Sequence, residues 1–122
     1  LSLDLPQAGQ PARKGKLFAQ PSAGWMAGFH GGQAFIVQFA HQPRAAIHPE
    51  QGQVELYLDA DPATPGKGLL EMEVHAPYRK LAPGGDMTAS ERWTILPYDG
   101  PATRVAHLAF LRRQAALLKP MR

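Results

Sequence analysis

The sequence predicts an all-β fold, an antiparallel β-sandwich with one α-helix at its C-terminal end. In several short runs apolar residues occupy every second position, which is the period of a half-buried strand. Gly and Pro, twelve of each in 122 residues, lie between these runs and are typical of turns. The period becomes helical only near the C-terminal end. Because 44% of the residues are hydrophobic, enough for one core, residues 1–122 are predicted to form a single domain.

The first predicted strands are short. The opening LSLDLP (1–6) alternates leucines with polar residues and ends at a proline. KLFAQ (16–20) is a further strand candidate after a polar loop. Residues 24–30 and 33–41 are predicted to form a hairpin, because the two glycines between them accept the positive φ angles of a tight primed turn.

Residues 53–60, 69–75 and 86–96 are also predicted to be strands, because apolar residues recur there at every second position. Each of these runs has one apolar face, which is predicted to point inward. The carboxylates of the first two runs lie on the opposite face, whereas Glu91 is in phase with the apolar residues of the third. The predicted inward residues are Val54, Leu56, Leu58, Leu70, Met72, Val74, Met87, Ala89, Trp93 and Ile95.

A helix is predicted over about 103–118, because apolar residues recur there at helical spacing after a DGPAT turn. Thr103 has the side chain of an N-cap, and Pro120 stops the run. All ten acidic residues lie at or before Asp99, whereas five of the thirteen basic residues follow it. Aromatic and basic residues do not interleave there as a nucleic-acid surface requires, so these charges are interpreted as a solvated helix end. Nucleic acid is not a predicted partner.

Several classes of chemistry are not predicted. Without cysteine the chain has no disulfide, thiol nucleophile or Cys-based zinc site. None of its five histidines has the spacing of metal ligands, and it has no phosphate loop or nucleophile elbow. No apolar run approaches the length of a membrane span. The sequence therefore predicts a soluble protein without metal, cofactor or membrane partner. It leaves the compartment open, with the cytoplasm favoured over the periplasm.

Residues 24–96 carry a further pattern, GWMAGFHGGQAFIVQFAH, then GQVELYLDA, then LLEMEVHAPYRKLAPGGDMTASERWTIL. Five features follow one another in this range: a Gly-Trp strand, a Gly-Gly hairpin, a strand with two glutamates before a proline, a LAPG turn and a strand with ERW. This order resembles the C-terminal part of an uncharacterised bacterial branch of the galactose mutarotase-like superfamily, which includes the aldose 1-epimerases.

The resemblance implies half of a mutarotase-like supersandwich, whose concave face can hold a sugar. In aldose 1-epimerases a glutamate general base comes from a C-terminal strand, and Glu71 and Glu73 are both positional counterparts of it. The histidines that polarise the ring oxygen of the sugar come from an earlier part of that domain, which this chain does not include. In this half-length form the resemblance implies binding without catalysis, or a chain that covers its sheet by self-association.

Glu71, Glu73 and His75 share one face of the predicted strand 69–75. Paired carboxylates of this kind serve acid–base chemistry when one of them is desolvated, or bind a cation through their oxygen atoms. They also occur on the solvated face of a sandwich. The sequence leaves these three interpretations open.

Glu91 and the aromatic residues are the other candidates. A carboxylate in an apolar row needs a partner, so Glu91 either pairs with Arg79 or Arg92 or lines a pocket. The aromatic residues either stack on sugar rings or pack in the core and at its rim. They are Trp25, Tyr57, Tyr78 and Trp93.

The predicted function is carbohydrate or small-ligand binding on one sheet face. One alternative is a sugar epimerase that uses Glu71 or Glu73. Another is a structural or oligomerisation module that self-associates through the C-terminal helix or a sheet edge. The catalytic candidates are Glu71, Glu73 and Glu91, and the predicted ligand-binding residues are Trp25, Tyr57, Glu71, Glu73, His75, Arg79 and Trp93.

Overall fold

The structure is a computed structural model that describes residues 3–64 and 66–121. Within these residues the chain forms six strands, all paired antiparallel, one α-helix and a 3-10 turn at Arg44–Ala46. This confirms the predicted fold class, all-β and sandwich-like in having two antiparallel sheets, with a helix near the C-terminal end. The elements are β1 (Arg13–Ala19), β2 (Trp25–His30), β3 (Gln33–Phe39), β4 (Val54–Ala60), β5 (Leu69–Val74), β6 (Glu91–Pro97) and α1 (Arg104–Arg113).

The chain divides into two compact units, each with one sheet. The first unit comprises Leu1–Gln20 and Gln42–Lys80 and contains the sheet β1-β4-β5. The second unit comprises Pro21–His41 and Leu81–Arg122 and contains the sheet β2-β3-β6 together with α1. No helix in the described part of the chain has the length and apolarity to cross a membrane. A single domain over residues 1–122 stays a prediction.

In the first unit β4 is the central strand. It pairs with β1 so that Leu56 lies opposite Leu17, and with β5 so that Val54 lies opposite Val74. Val54 and Leu58 are buried and Leu56 is half-buried, as predicted for the inward face, but Gln53 and Glu55 of the predicted outward face are buried as well. The opposite face of β4 carries its polar residues.

The prediction that Leu70 of β5 faces inward is wrong. Its side chain is 41% exposed, whereas Met72 and Val74 are half-buried. Since β5 is at the edge of its sheet, its first residues have a neighbouring strand on one side only. The alternation in the sequence does not distinguish an edge strand from a central one.

In the second unit the predicted hairpin joins β2 to β3. Gly31 and Gly32 have φ angles of 57° and 74°, the left-handed values that a primed turn needs. β3 is the central strand, and residues 36–39 along it are at most 2% exposed. The core of this unit is therefore built around β3.

β6 is shorter than predicted, and its predicted inward face is wrong. Pairing begins at Glu91, so residues 86–90 of the predicted strand form no strand. Alternation shows that a strand has two faces, but not which of them other elements cover. The exposed residues that the sequence predicts to be inward are Met87, Ala89, Trp93 and Ile95.

The two ends of the chain also differ from the prediction. Residues 3–6 form no strand, and residues 1 and 2 of the predicted strand lie outside the described residues. The predicted helix 103–118 is regular only over Arg104–Arg113 and continues as hydrogen-bonded turns. Beyond the regular helix, Gln38 Nε2 donates to the carbonyl oxygens of Leu117 at 2.7 Å and Lys119 at 3.2 Å. These bonds hold the segment after the helix against β3.

An N-cap begins α1, and contacts between aromatic rings position the helix. Thr103 Oγ1 accepts a hydrogen bond from the Ala106 N–H at 3.3 Å, which confirms the predicted N-cap. The His107 ring stacks on Phe29 of β2, with ring centroids 3.9 Å apart. Phe110 meets Tyr98 edge-to-face at 5.1 Å. The helix is thereby packed on the sheet of the second unit.

Candidate functional site

The three strands of the first sheet bring four ionisable residues together on one face. Glu55 of β4 lies directly opposite Glu73 of β5. Lys16 of β1 lies opposite Tyr57, which is two residues from Glu55 and shares its face. His75 follows β5, and its N–H donates to the Gln53 carbonyl oxygen at 2.8 Å, which continues the ladder. We call Lys16, Glu55, Glu73 and His75 the charged cluster.

Lys16 is the centre of the charged cluster. Its Nζ lies 2.9 Å from Glu55 Oε2 and 2.9 Å from Glu73 Oε1, so one ammonium group bridges two carboxylates. His75 Nε2 lies 3.3 Å from Glu55 Oε1. The Gly52 N–H donates to the same oxygen at 3.2 Å. These contacts tie all three strands of the sheet to Glu55.

The members of the cluster differ in exposure. The side chain of Glu55 is 1% exposed, whereas those of Lys16, His75 and Glu73 are 34%, 33% and 32% exposed. Glu55 thus lies at the buried bottom of the cluster, and the other three groups have access to solvent. A buried carboxylate without a partner costs roughly several kcal/mol, so the surrounding donors are what permit it here.

The pairing also determines the charge states of Glu55 and Lys16. Burial by itself raises the pKa of Glu55, but the hydrogen bonds from Lys16 and the Gly52 N–H, with the nearby His75, hold it below its ordinary value. The hydrogen bonds to Glu73 and Glu55 raise the pKa of Lys16 above its ordinary value. Both groups are therefore charged at neutral pH.

This arrangement is suited to polar recognition. Ionised carboxylates accept hydrogen bonds, an ammonium group donates them, and an imidazole does either. Glu55, Glu73 and His75 offer ligand atoms that lie within 4.8 Å of one another, a spacing that also suits a metal ion. Lys16 Nζ, however, already bridges the two carboxylates. The chain thus supplies the cation of the cluster itself.

The structure brings four of the predicted ligand-binding residues to this sheet face. Glu73 and His75 are in the charged cluster, and Tyr57 lies beside it, opposite both Lys16 and Glu71. Glu71 itself is exposed and outside the cluster. Glu71 and Glu73 therefore have different surroundings, a distinction that the sequence leaves open.

Arg79 belongs to the same unit but not to this sheet. It is exposed and lies after β5, near the end of the first unit. No ion pair of its side chain with the charged cluster is present among the described residues.

Trp25, Trp93 and Glu91 lie in the second unit. Trp25 pairs with Gln38 and Trp93 with Val37, so the two tryptophans project to opposite faces of their sheet. Glu91 is exposed, and its Oε2 accepts a hydrogen bond from Trp93 Nε1 at 2.7 Å. The apolar row that contains Glu91 is therefore not buried, and among the described residues Glu91 forms no ion pair with Arg79 or Arg92. Its partner is an exposed indole on the same strand.

Sequence reasoning missed Lys16 and Glu55 as site residues. Alternation correctly placed Glu55 on the polar face of β4, but it predicts that face to be solvated. Lys16 lies in a short run without a distinctive motif. The pairing of β1 with β4 brings the two residues together, with Lys16 opposite Tyr57 and Glu55 opposite Phe18. These strands are far apart in the sequence, and alternation within each run does not predict that they pair.

The fold and the site define an all-β protein with a buried carboxylate at the base of a charged cluster. Residues 1–96 match the family model described as Domain of unknown function (DUF4380). The chain belongs to this DUF4380 family. The matched range includes all four residues of the charged cluster. No curated protein and no solved structure matches the chain significantly.

Proposed function

We propose that the face of the first sheet around the charged cluster binds a small polyhydroxylated ligand, of which a carbohydrate is the leading candidate, without changing it chemically. The observation that supports this is the geometry of the cluster. Buried Glu55 holds Lys16 and His75 in place, and Lys16 in turn holds Glu73. Three partly exposed polar groups are thereby positioned before any ligand arrives.

Such an arrangement suits sugar hydroxyl groups. Each hydroxyl both donates and accepts, so a sugar is bound best where fixed donors and acceptors alternate. Positioned side chains lose little conformational entropy on binding. Tyr57 lies on the same face and adds an aromatic surface of the kind that covers the apolar side of a sugar ring.

An epimerase is the second candidate, and one observation favours Glu73 over Glu71 as its base. Glu73 shares the cluster with His75, whereas Glu71 is exposed and outside it. In that reaction Glu73 would take the proton of the anomeric hydroxyl group while His75 donates a proton to the ring oxygen, and the bond between the anomeric carbon and the ring oxygen would break. Ring closure on the other face would reverse both proton transfers. A glutamate base from a C-terminal strand would agree with the resemblance to mutarotase-like proteins, whereas His75 would take a role that the resemblance gives to histidines from an earlier part of the domain. The resemblance itself stays a proposal.

Self-association is a third candidate, and the surface of α1 supports it. Val105 is 79% exposed and Leu108 is 37% exposed, although both are apolar. A dimer through α1 would cover them. Self-association through a sheet edge and a cytoplasmic location stay predictions from the sequence.

The binding proposal is tested by titrating isotope-labelled protein with D-galactose and D-glucose while amide chemical shifts are recorded. We expect saturable shifts at Lys16, Tyr57 and Glu73. The variant Glu73→Gln should lose them, because the paired carboxylate is removed. The matched control Glu71→Gln makes the same change two residues away and should keep them.

Two outcomes would decide against the proposal. One is the absence of saturable shifts on this face, and the other is equal binding by Glu73→Gln and the original protein. The same samples separate binding from catalysis, because an epimerase would accelerate the exchange between sugar anomers and Glu73→Gln would abolish that acceleration.

A further inference from the structure

The second unit contains a separate depression of about 480 Å³ beside β6. One wall is Arg92 of β6, and the other is the segment that follows α1. Its lining combines two basic side chains with apolar ones. The lining residues are Arg92, Ala116, Leu117, Lys119, Pro120 and Met121. We call this depression the Arg92–Lys119 pocket.

The charged side chains among the lining residues of the pocket are both basic. Among the described residues neither Arg92 nor Lys119 forms an ion pair. Residues 100–122 contain five basic residues and no acidic residue. Arg92 lies opposite Gln38, which is uncharged. The pocket therefore has a positive potential that attracts an anion.

Gln38 provides a second, independent observation. It is 0% exposed, and its Nε2 donates to the carbonyl oxygens of Leu117 and Lys119, two residues of the pocket wall. Because both of these partners are acceptors, the orientation of the amide is determined. Its Oε1 is buried and has no hydrogen-bond partner within the described residues. A buried acceptor of this kind needs a donor.

We propose that the Arg92–Lys119 pocket binds a small organic anion that carries a hydroxyl group. Arg92 and Lys119 would hold its carboxylate or phosphate group, since a guanidinium group pairs well with either. The hydroxyl group would donate toward Gln38 Oε1 through a bridging water molecule, because Gln38 lies behind the lining residues and its Oε1 is buried. Leu117 and Met121 would cover its carbon skeleton. This site is independent of the charged cluster, which is in the other unit.

The test is a calorimetric and chemical-shift titration with four probes. D-glycerate and glycerol 3-phosphate carry both an anionic group and a hydroxyl group, and they distinguish a carboxylate ligand from a phosphate ligand. Propionate and inorganic phosphate are the matched probes without the hydroxyl group on a carbon skeleton. We expect saturable binding of at least one hydroxylated probe, with shifts at Arg92 and Lys119 and weaker binding of its matched probe.

Substitutions then locate the site. Arg92→Gln and Lys119→Gln should each weaken binding by about tenfold, because each removes a charge-assisted hydrogen bond. Arg112→Gln removes the same charge from α1, outside the lining residues, and should leave affinity within about twofold. All three changed side chains are exposed, so the variants should fold.

Three results would overturn the proposal. The first is no saturable binding of any probe. The second is an equal loss of affinity in Arg112→Gln, which would show general attraction to the basic tail. The third is equal affinity for probes with and without the hydroxyl group, which would remove the role of Gln38. None of these results bears on sugar binding at the charged cluster, so the two proposals fail separately.

Discussion

The buried carboxylate of Glu55 supports the sharpest prediction about stability. Donors from Lys16, His75 and the Gly52 N–H converge on its two oxygen atoms. The variant Glu55→Gln keeps the shape of the side chain but replaces one oxygen with a donor. One buried donor must then face another donor, whichever way the amide is turned.

The expected loss of stability in Glu55→Gln follows from that single mismatch between two donors. A buried polar group without a partner costs about 1–3 kcal/mol, and loss of charge-assisted bonds places the change toward the upper part of that range. Lys16 keeps its second partner Glu73, so the substitution leaves no ammonium group unpaired. We therefore expect Glu55→Gln to lower the free energy of unfolding by about 2–3 kcal/mol.

Urea unfolding followed by circular dichroism measures this change. The control is Glu71→Gln, the same substitution at an exposed position of the neighbouring strand, which should stay within about 0.5 kcal/mol of the original protein. If Glu55→Gln is as stable as the control, the converging donors contribute nothing, and the reasoning about the cluster fails.

The pH dependence gives an independent check on the same residue. The pKa of Glu55 is lowered on folding, so its ionisation contributes stability above the ordinary value of 4.5, and this contribution is lost as the pH falls through the folded pKa. The pKa of Lys16 is raised, so its contribution is complete below 10.5 and is lost as the pH rises beyond it. The stability gap between the original protein and Glu55→Gln should therefore be constant near neutral pH and narrow below pH 4.5. A gap that widens in acid would contradict this.

Two further predictions concern the scaffold. A Cβ at Gly52 would lie 2.6 Å from the Ala19 nitrogen, so Gly52→Ala should destabilise the protein by about 2 kcal/mol in urea unfolding. The control Gly15→Ala places its Cβ in open space among the described residues and should not destabilise the protein. Equal losses of stability in the two variants would contradict the close approach at Gly52. Trp93→Ala should cost less than about 1 kcal/mol, because Trp93 is 68% exposed, whereas Ile36→Ala in the core should cost about 2–5 kcal/mol. A large loss in Trp93→Ala would place that residue in the core after all.

Much of the local structure was predictable, because it depends on neighbouring residues. Two glycines between β-prone runs predict the β2–β3 turn, and Thr103 predicts the start of α1, as the structure has them. The alternation in residues 53–60 predicts β4 and its two faces. The sequence likewise predicted Glu73 and His75 as candidate site residues.

The residues that were wrongly predicted to face inward have one physical reason in common. Trp93 and Ile95 alternate with polar residues as an inward face would, yet both are exposed. Leu70 also alternates with polar residues and is exposed, at the edge of its sheet. Burial depends on what covers a face, and that is decided by elements distant in the sequence.

The sequence by itself determined that the chain is all-β, where most strands and the helix begin, and that carboxylates and a histidine share one face of β5. Only the tertiary structure decided that β1 pairs with β4, which brings Lys16 to Glu55 and makes a solvated row into a cluster with a buried base. The reason is that alternation defines the two faces of a strand, whereas its partners depend on pairing between residues far apart in the chain.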